Sequence, residues 1–160
     1  MIHAIAYIIF ILPFTSWLGR ELKRGYSLKE HWRWLLGAFL TGIVGAILSY
    51  VEPAKLGNFL LHASGGFASC LLYIYLFKTL RLHFSRSLTI VLLFAFVSTL
   101  GVVNELAEYA FELLNLGIMS FDSHDTWRDF AANTTGAGIA WVSFRALSLY
   151  KTVRISEAKK

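Results

Sequence analysis

Apolar residues run along this chain in five long stretches, and the short segments between them carry most of the charge. The stretches are Ile2 to Leu18, Trp34 to Val51, Asn58 to Phe77, Leu88 onward past Val103, and Thr126 to Tyr150. About 20 helical residues cross the hydrocarbon of a bilayer, so each stretch is close to or above spanning length. Runs this long without two-residue alternation disfavour a β-barrel. The pattern predicts an all-α membrane protein, a bundle of about five transmembrane helices at 2–18, 34–51, 58–77, 88–112 and 126–150. These form a single domain over 1–150, and 151–160 is a basic cytoplasmic tail.

Arg20, Lys23 and Arg24 follow the first stretch rather than precede it, the reverse of a secretory signal peptide, which predicts an uncleaved span. With Lys29 and Arg33 they make one basic segment, flanked by Trp17, Trp32 and Trp34 as interfacial aromatics. Lys78, Arg81 and Arg86 make the next, and Lys151, Arg154, Lys159 and Lys160 the last. The links after the second and fourth stretches are poor in Lys and Arg. This alternation predicts a plasma-membrane protein with its N-terminus outside and its C-terminus in the cytoplasm.

Composition agrees with this reading. At 160 residues, with 56% hydrophobic and 16% charged, the chain carries more apolar surface than a soluble domain of its size hides. The net charge of +5 sits in inter-span segments and not in a stripe with stacking aromatics, so the implied partner is the lipid bilayer and not nucleic acid. The single cysteine, Cys70, lies inside an apolar stretch, which suits packing and precludes an internal disulfide.

One segment breaks the pattern. Between Gly101 and Gly138 stand six of the ten acidic residues: Glu105, Glu108, Glu112, Asp122, Asp125 and Asp129. Carboxylates at or near membrane depth are costly, so they mark a functional site by default. At 100° per residue Glu105, Glu108 and Glu112 share a helical face, as do Asp125, Asp129, Asn133 and Gly136. His62 lies with Gly65, Gly66 and Ser69 on a small, polar face of the third stretch. In the predicted topology His62, Glu105, Glu108, Asp125 and Asp129 all come to one depth near the outer boundary. Several carboxylates and an imidazole held close repel one another unless a cation or protons intervene. The candidate metal ligands are therefore His62, Glu105, Glu108, Asp125 and Asp129, with Asn104 and Asn133 as supporting polar groups. The implied cofactor is a divalent ion, Mg²⁺, Mn²⁺, Ca²⁺ or Zn²⁺. Glu105 and Glu108 are the candidate catalytic residues, one serving as general base. Other readings stay open: Asp122 and Asp125 suit a helix N-cap, Glu112 a solvated interfacial position, His62 a hydrogen bond between helices, and Arg128 a partner for Glu108 or Glu112.

His62-Ala63-Ser64-Gly65-Gly66, Asn104-Glu105-Leu106-Ala107-Glu108, and Asp125-Thr126-Trp127-Arg128-Asp129 with Asn133-Thr134-Thr135-Gly136-Ala137 occur in this order over residues 58 to 140. In these pieces the chain resembles the VanZ-like family and its YjdF-like relatives, small multi-pass membrane proteins. The resemblance implies a helical bundle with a polar site built from the Glu pair and the last helix, and points to the cell envelope. Relatives commonly carry Asp-Lys ahead of the His, whereas this chain has Leu56-Gly57-Asn58, which moves any such role to Asn58. A fainter similarity to CDP-alcohol phosphotransferases rests on the Asp-x-x-x-Asp row alone, since their Asp-x-x-Asp-Gly-x-x-Ala-Arg segment is absent. Three function classes follow: a metal-dependent site acting on a lipid-linked or envelope substrate, a proton- or cation-binding transport module, and a structural subunit. The latter two imply a homo-oligomer or a membrane partner.

Overall fold

The computed structural model describes residues 2–23, 25–51, 54–114 and 123–157. Among them are five helices and no strand: α1 (Ile2–Glu21), α2 (Trp32–Val51), α3 (Ala54–Thr79), α4 (Arg86–Leu113) and α5 (Ser123–Glu157). Three of these are long and apolar enough to cross a membrane, over Trp32–Tyr50, Lys55–Thr79 and Arg86–Ala107. Two bounds differ from the sequence reading by more than three residues. Helix α3 begins four residues ahead of Asn58, and α5 continues to Glu157 into the basic tail, because a helix does not stop where its apolar stretch does. The link at 115–122, with Asp122, lies outside the described residues.

Helix α3 is the hub. More than half of its span, 56%, is buried inside the protein, against 11% for α2 and 17% for α4. On one side Ala68, Leu72 and Tyr75 pack with Ile11 of α1 and Ala38 of α2. On the other, Cys70, Tyr73 and Ile74 pack with Leu93 and Val97 of α4 and Ala137 and Ala140 of α5. The remaining face of α2 is an exposed aliphatic stripe, Leu36, Leu40, Val44 and Ile47, at the spacing of a helix face that meets lipid.

Helix α3 runs alongside α5 at backbone contact. A Cβ added to Gly66 would strike the Asn133 carbonyl, and one added to Gly136 would strike the Ala63 carbonyl. Helices in a bilayer gain little from hydrophobicity when they associate, so close approach through small residues has to supply the attraction. Gly45 plays the same part between α2 and Ser64 of α3. Gly138, two residues further along α5, faces open space instead.

The two ends of the bundle differ in charge. At one end the basic segments meet: Arg81 approaches Glu30 at 3.9 Å, the Tyr75 hydroxyl donates to the Leu28 carbonyl, and the Lys78 ammonium lies 5.8 Å from the ring centroids of Trp34 and Phe144. The other end holds the start of α3, the end of α4 and the start of α5. Exposed aromatics mark both levels, Trp17 and Trp32 at the basic end, Tyr50, Tyr109 and Trp127 at the other. Trp32 and Tyr50 are separated by about 27 Å of helix, close to the hydrocarbon thickness.

Substituting Gly136 by Leu is expected to lower the thermal midpoint in detergent, since overpacking of a tight contact costs ~1–3 kcal/mol. Gly138→Leu is expected to leave it within error. Thermal unfolding of the two variants side by side checks this.

Candidate functional site

Asn58 and His62 are one turn apart on α3, and Thr126 and Asp129 one turn apart on α5, so each helix presents two polar groups on a single face. The parallel course of α3 and α5 brings these faces together, and α4, running the opposite way, adds Glu105 from its far end. Asp129 is the most enclosed of the carboxylates seen here, with 4% of its surface exposed. Asn58 Nδ2 donates to its Oδ1 at 2.9 Å, and His62 Nε2 stands 3.3 Å from its Oδ2. The Thr126 hydroxyl donates to Glu105 Oε2 at 3.0 Å. A carboxylate buried at this depth is tolerated only when its oxygens are matched by donors or cations, and these contacts are that match.

His62, Glu105 and Asp129 each offer one ligand atom, and the three atoms lie within 4.8 Å of one another. Ligand atoms sit about 2.0–2.6 Å from Zn²⁺, Mg²⁺ or Ca²⁺, so two ligands of one ion are at most about 5 Å apart. The trio meets that limit, and one imidazole with two carboxylates is a donor set that can hold a divalent cation. Asn58 and Thr126 then hold the carboxylates from behind, as outer-sphere donors orient ligands at metal sites.

The other sequence-predicted residues fall as follows. Asn133 sits where three helices meet: a Cβ at Gly65 would lie 3.4 Å from its Oδ1, and one at Gly101 3.6 Å from its Nδ2. It lies one turn below Asp129, at the floor of the cluster. Asn104 is half-buried beside Glu105. The side chains of Glu108, Glu112 and Asp125 lie outside the described ones. Sequence reasoning left Asn58 and Thr126 out of the ligand set. Their signal was present, since Asn58 is one turn before His62 and Thr126 one turn before Asp129.

Removing a donor to a buried carboxylate costs more than removing one to a partly solvated carboxylate. Asn58→Leu is therefore expected to destabilise the protein by about 1.5–3 kcal/mol and Thr126→Val by less, read as a difference in thermal midpoints.

Comparisons with curated proteins and with solved structures returned no significant match. A family model does match, over residues 1–149, nearly the whole chain, and its description is "Predicted membrane protein (DUF2238)". Long apolar helices, the exposed aliphatic stripe of α2 and a polar cluster at one end of the bundle agree with that description, and the chain belongs to this membrane-protein family.

Proposed function

We propose that this protein is a divalent-cation-binding integral membrane protein whose site, built on His62, Glu105 and Asp129, acts on a lipid-linked or cell-envelope substrate. The observation that carries the proposal is the convergence of one imidazole and two carboxylates from three helices within 4.8 Å, two of the three residues buried. In this reading α1 and α5 also cross the bilayer, completing five spans, and the chain is a VanZ-like or YjdF-like member of its family. The basic segments at the opposite end of the bundle supply the orientation: with those inside, the site faces outward.

A bound divalent ion supplies a Lewis acid for a phosphoryl or acyl oxygen, or a water of lowered pKa. The chain's own groups do the rest. His62 and Asp129 fix the ion at the α3–α5 seam, and Asn58 holds the Asp129 carboxylate in register. Glu105, at the end of α4 and steadied by Thr126, is the third ligand in this reading, which leaves Glu108, one turn further along α4, as the candidate general base. A second reading has an observation of its own. The His62–Asp129 pair and the donors Asn58 and Thr126 form a polar network that also suits proton or cation binding without covalent chemistry.

Elemental analysis of protein purified without chelator is expected to find about one divalent ion per chain, as a site with deprotonated ligands retains its metal. Titration of Mg²⁺, Mn²⁺, Ca²⁺ or Zn²⁺ is expected to raise the thermal midpoint, by ~2.7 kcal/mol of stability at a hundredfold excess over Kd. Asp129→Asn and Glu105→Gln are expected to abolish that rise. Protein with no ion and no metal-induced shift contradicts the reading. If, in addition, flux in liposomes depends on pH and vanishes in Glu105→Gln, the proton-binding module takes its place.

A further inference from the structure

Beside the polar cluster, α4 and α5 leave a groove between them. Its walls are Phe94, Val97 and Val102 on α4 with Trp127 and Phe130 on α5, and it encloses a volume of about 230 Å³. The α4 wall lies within the apolar span Arg86–Ala107, and Phe94, Val102 and Trp127 are exposed there, so the groove opens sideways to the hydrocarbon. What fills such a groove in a bilayer is hydrocarbon. Its volume is below the ~300–1,000 Å³ of pockets that enclose a whole small molecule, which suits a stretch of one chain.

The groove also has a direction. From Phe94 to Val102 it follows α4 for about 12 Å, and Glu105 stands one further turn along the same helix. On α5 it runs between Trp127 and Asn133, flanking Asp129, and Asn133 lines it while also meeting Gly65 and Gly101 at the floor of the cluster. A lipid lying along this track has its chain in the hydrocarbon and its headgroup at the level of His62, Glu105 and Asp129. We infer that the α4–α5 groove seats one hydrocarbon chain of a phosphate-bearing amphiphile and admits its headgroup to the site laterally from the bilayer. The headgroup half of this inference rests on the cation reading above, in which a bound ion would polarise a phosphoryl oxygen; the chain half stands on the groove alone.

The test uses the full chain in phosphatidylcholine nanodiscs doped with phosphatidic acid that carries a diazirine at mid-chain. After photolysis, adducts are mapped by mass spectrometry. Adducts at Phe94, Val97 and Phe130 are expected to exceed those at Leu40 and Val44, exposed on α2, by about tenfold, the ratio that ~1.4 kcal/mol of site preference produces. Ser98 also lines the groove, on α4; Ser98→Phe, which fills it, is expected to bring them down to the α2 level, and Ser98→Ala to preserve them. Uniform adducts over α2 and α4, or Phe94 crosslinked to a second copy of the chain in place of lipid, overturn the inference. Repeating the map on Asp129→Asn separates the two proposals. Groove adducts in a protein whose wild type binds no divalent ion uphold the slot and sink the cation site. Ion binding with uniform adducts does the opposite.

Discussion

The backbone contact between α3 and α5 is the constraint on which the rest of the molecule depends. Where Gly66 meets Asn133 and Gly136 meets Ala63 there is no room for a side chain, so the two helices have little freedom to slide or rotate against each other. That fixes the register by which Asn58 and His62 face Asp129 one to two turns away. Were the helices a methyl group further apart, the 2.9 Å hydrogen bond to Asp129 would be lost and a buried carboxylate left with fewer donors. The small residues and the acidic ones are thus two halves of one device: glycines set the distance, and polar groups use it.

Electrostatics gives this device an orientation. Eight of the fifteen Lys and Arg residues lie in the 20–33 and 78–86 segments, where Arg81, Glu30, Lys78 and Trp34 meet, while His62, Glu105 and Asp129 gather at the opposite end. Separation along the bundle axis keeps the carboxylates away from neutralising lysines and arginines at the basic end. The cluster at the opposite end is balanced locally, with His62, Asn58 and Thr126 among its partners, and its donor set suits a cation. The bare flank of α4, with its groove toward α5, gives the same end of the molecule a side door to the bilayer.

Much of this was legible from residue order alone. The apolar runs located α2, α3 and α4 to within a few residues, since hydrocarbon thickness sets a length that composition must meet. Loop charge and helix direction together predict one end of the bundle for His62, Glu105 and Asp129, and in the structure a ligand atom of each lies within 4.8 Å of the others. Two things were hidden. Asn58 and Thr126 carry no cost signal of the kind a buried carboxylate carries; their spacing puts them on the faces of His62 and Asp129, and the contacts across the seam show which carboxylates they hold. Gly136 and Gly138 look alike in the chain, yet one sits at the α3 contact and the other faces outward, a difference set by rotation about α5. Apolar length likewise speaks less plainly for α5, where Asp, Arg and Thr interrupt the run.

The central claim is that His62, Glu105 and Asp129 bind one cation together. Pulsed electron paramagnetic resonance of Mn²⁺-loaded protein in nanodiscs addresses it directly, because a coordinated imidazole nitrogen couples to the manganese electrons. The account predicts bound Mn²⁺ with coupling to one imidazole nitrogen, and loss of that coupling in His62→Gln. Manganese showing only water and carboxylate surroundings, or nitrogen coupling that survives His62→Gln, would contradict it.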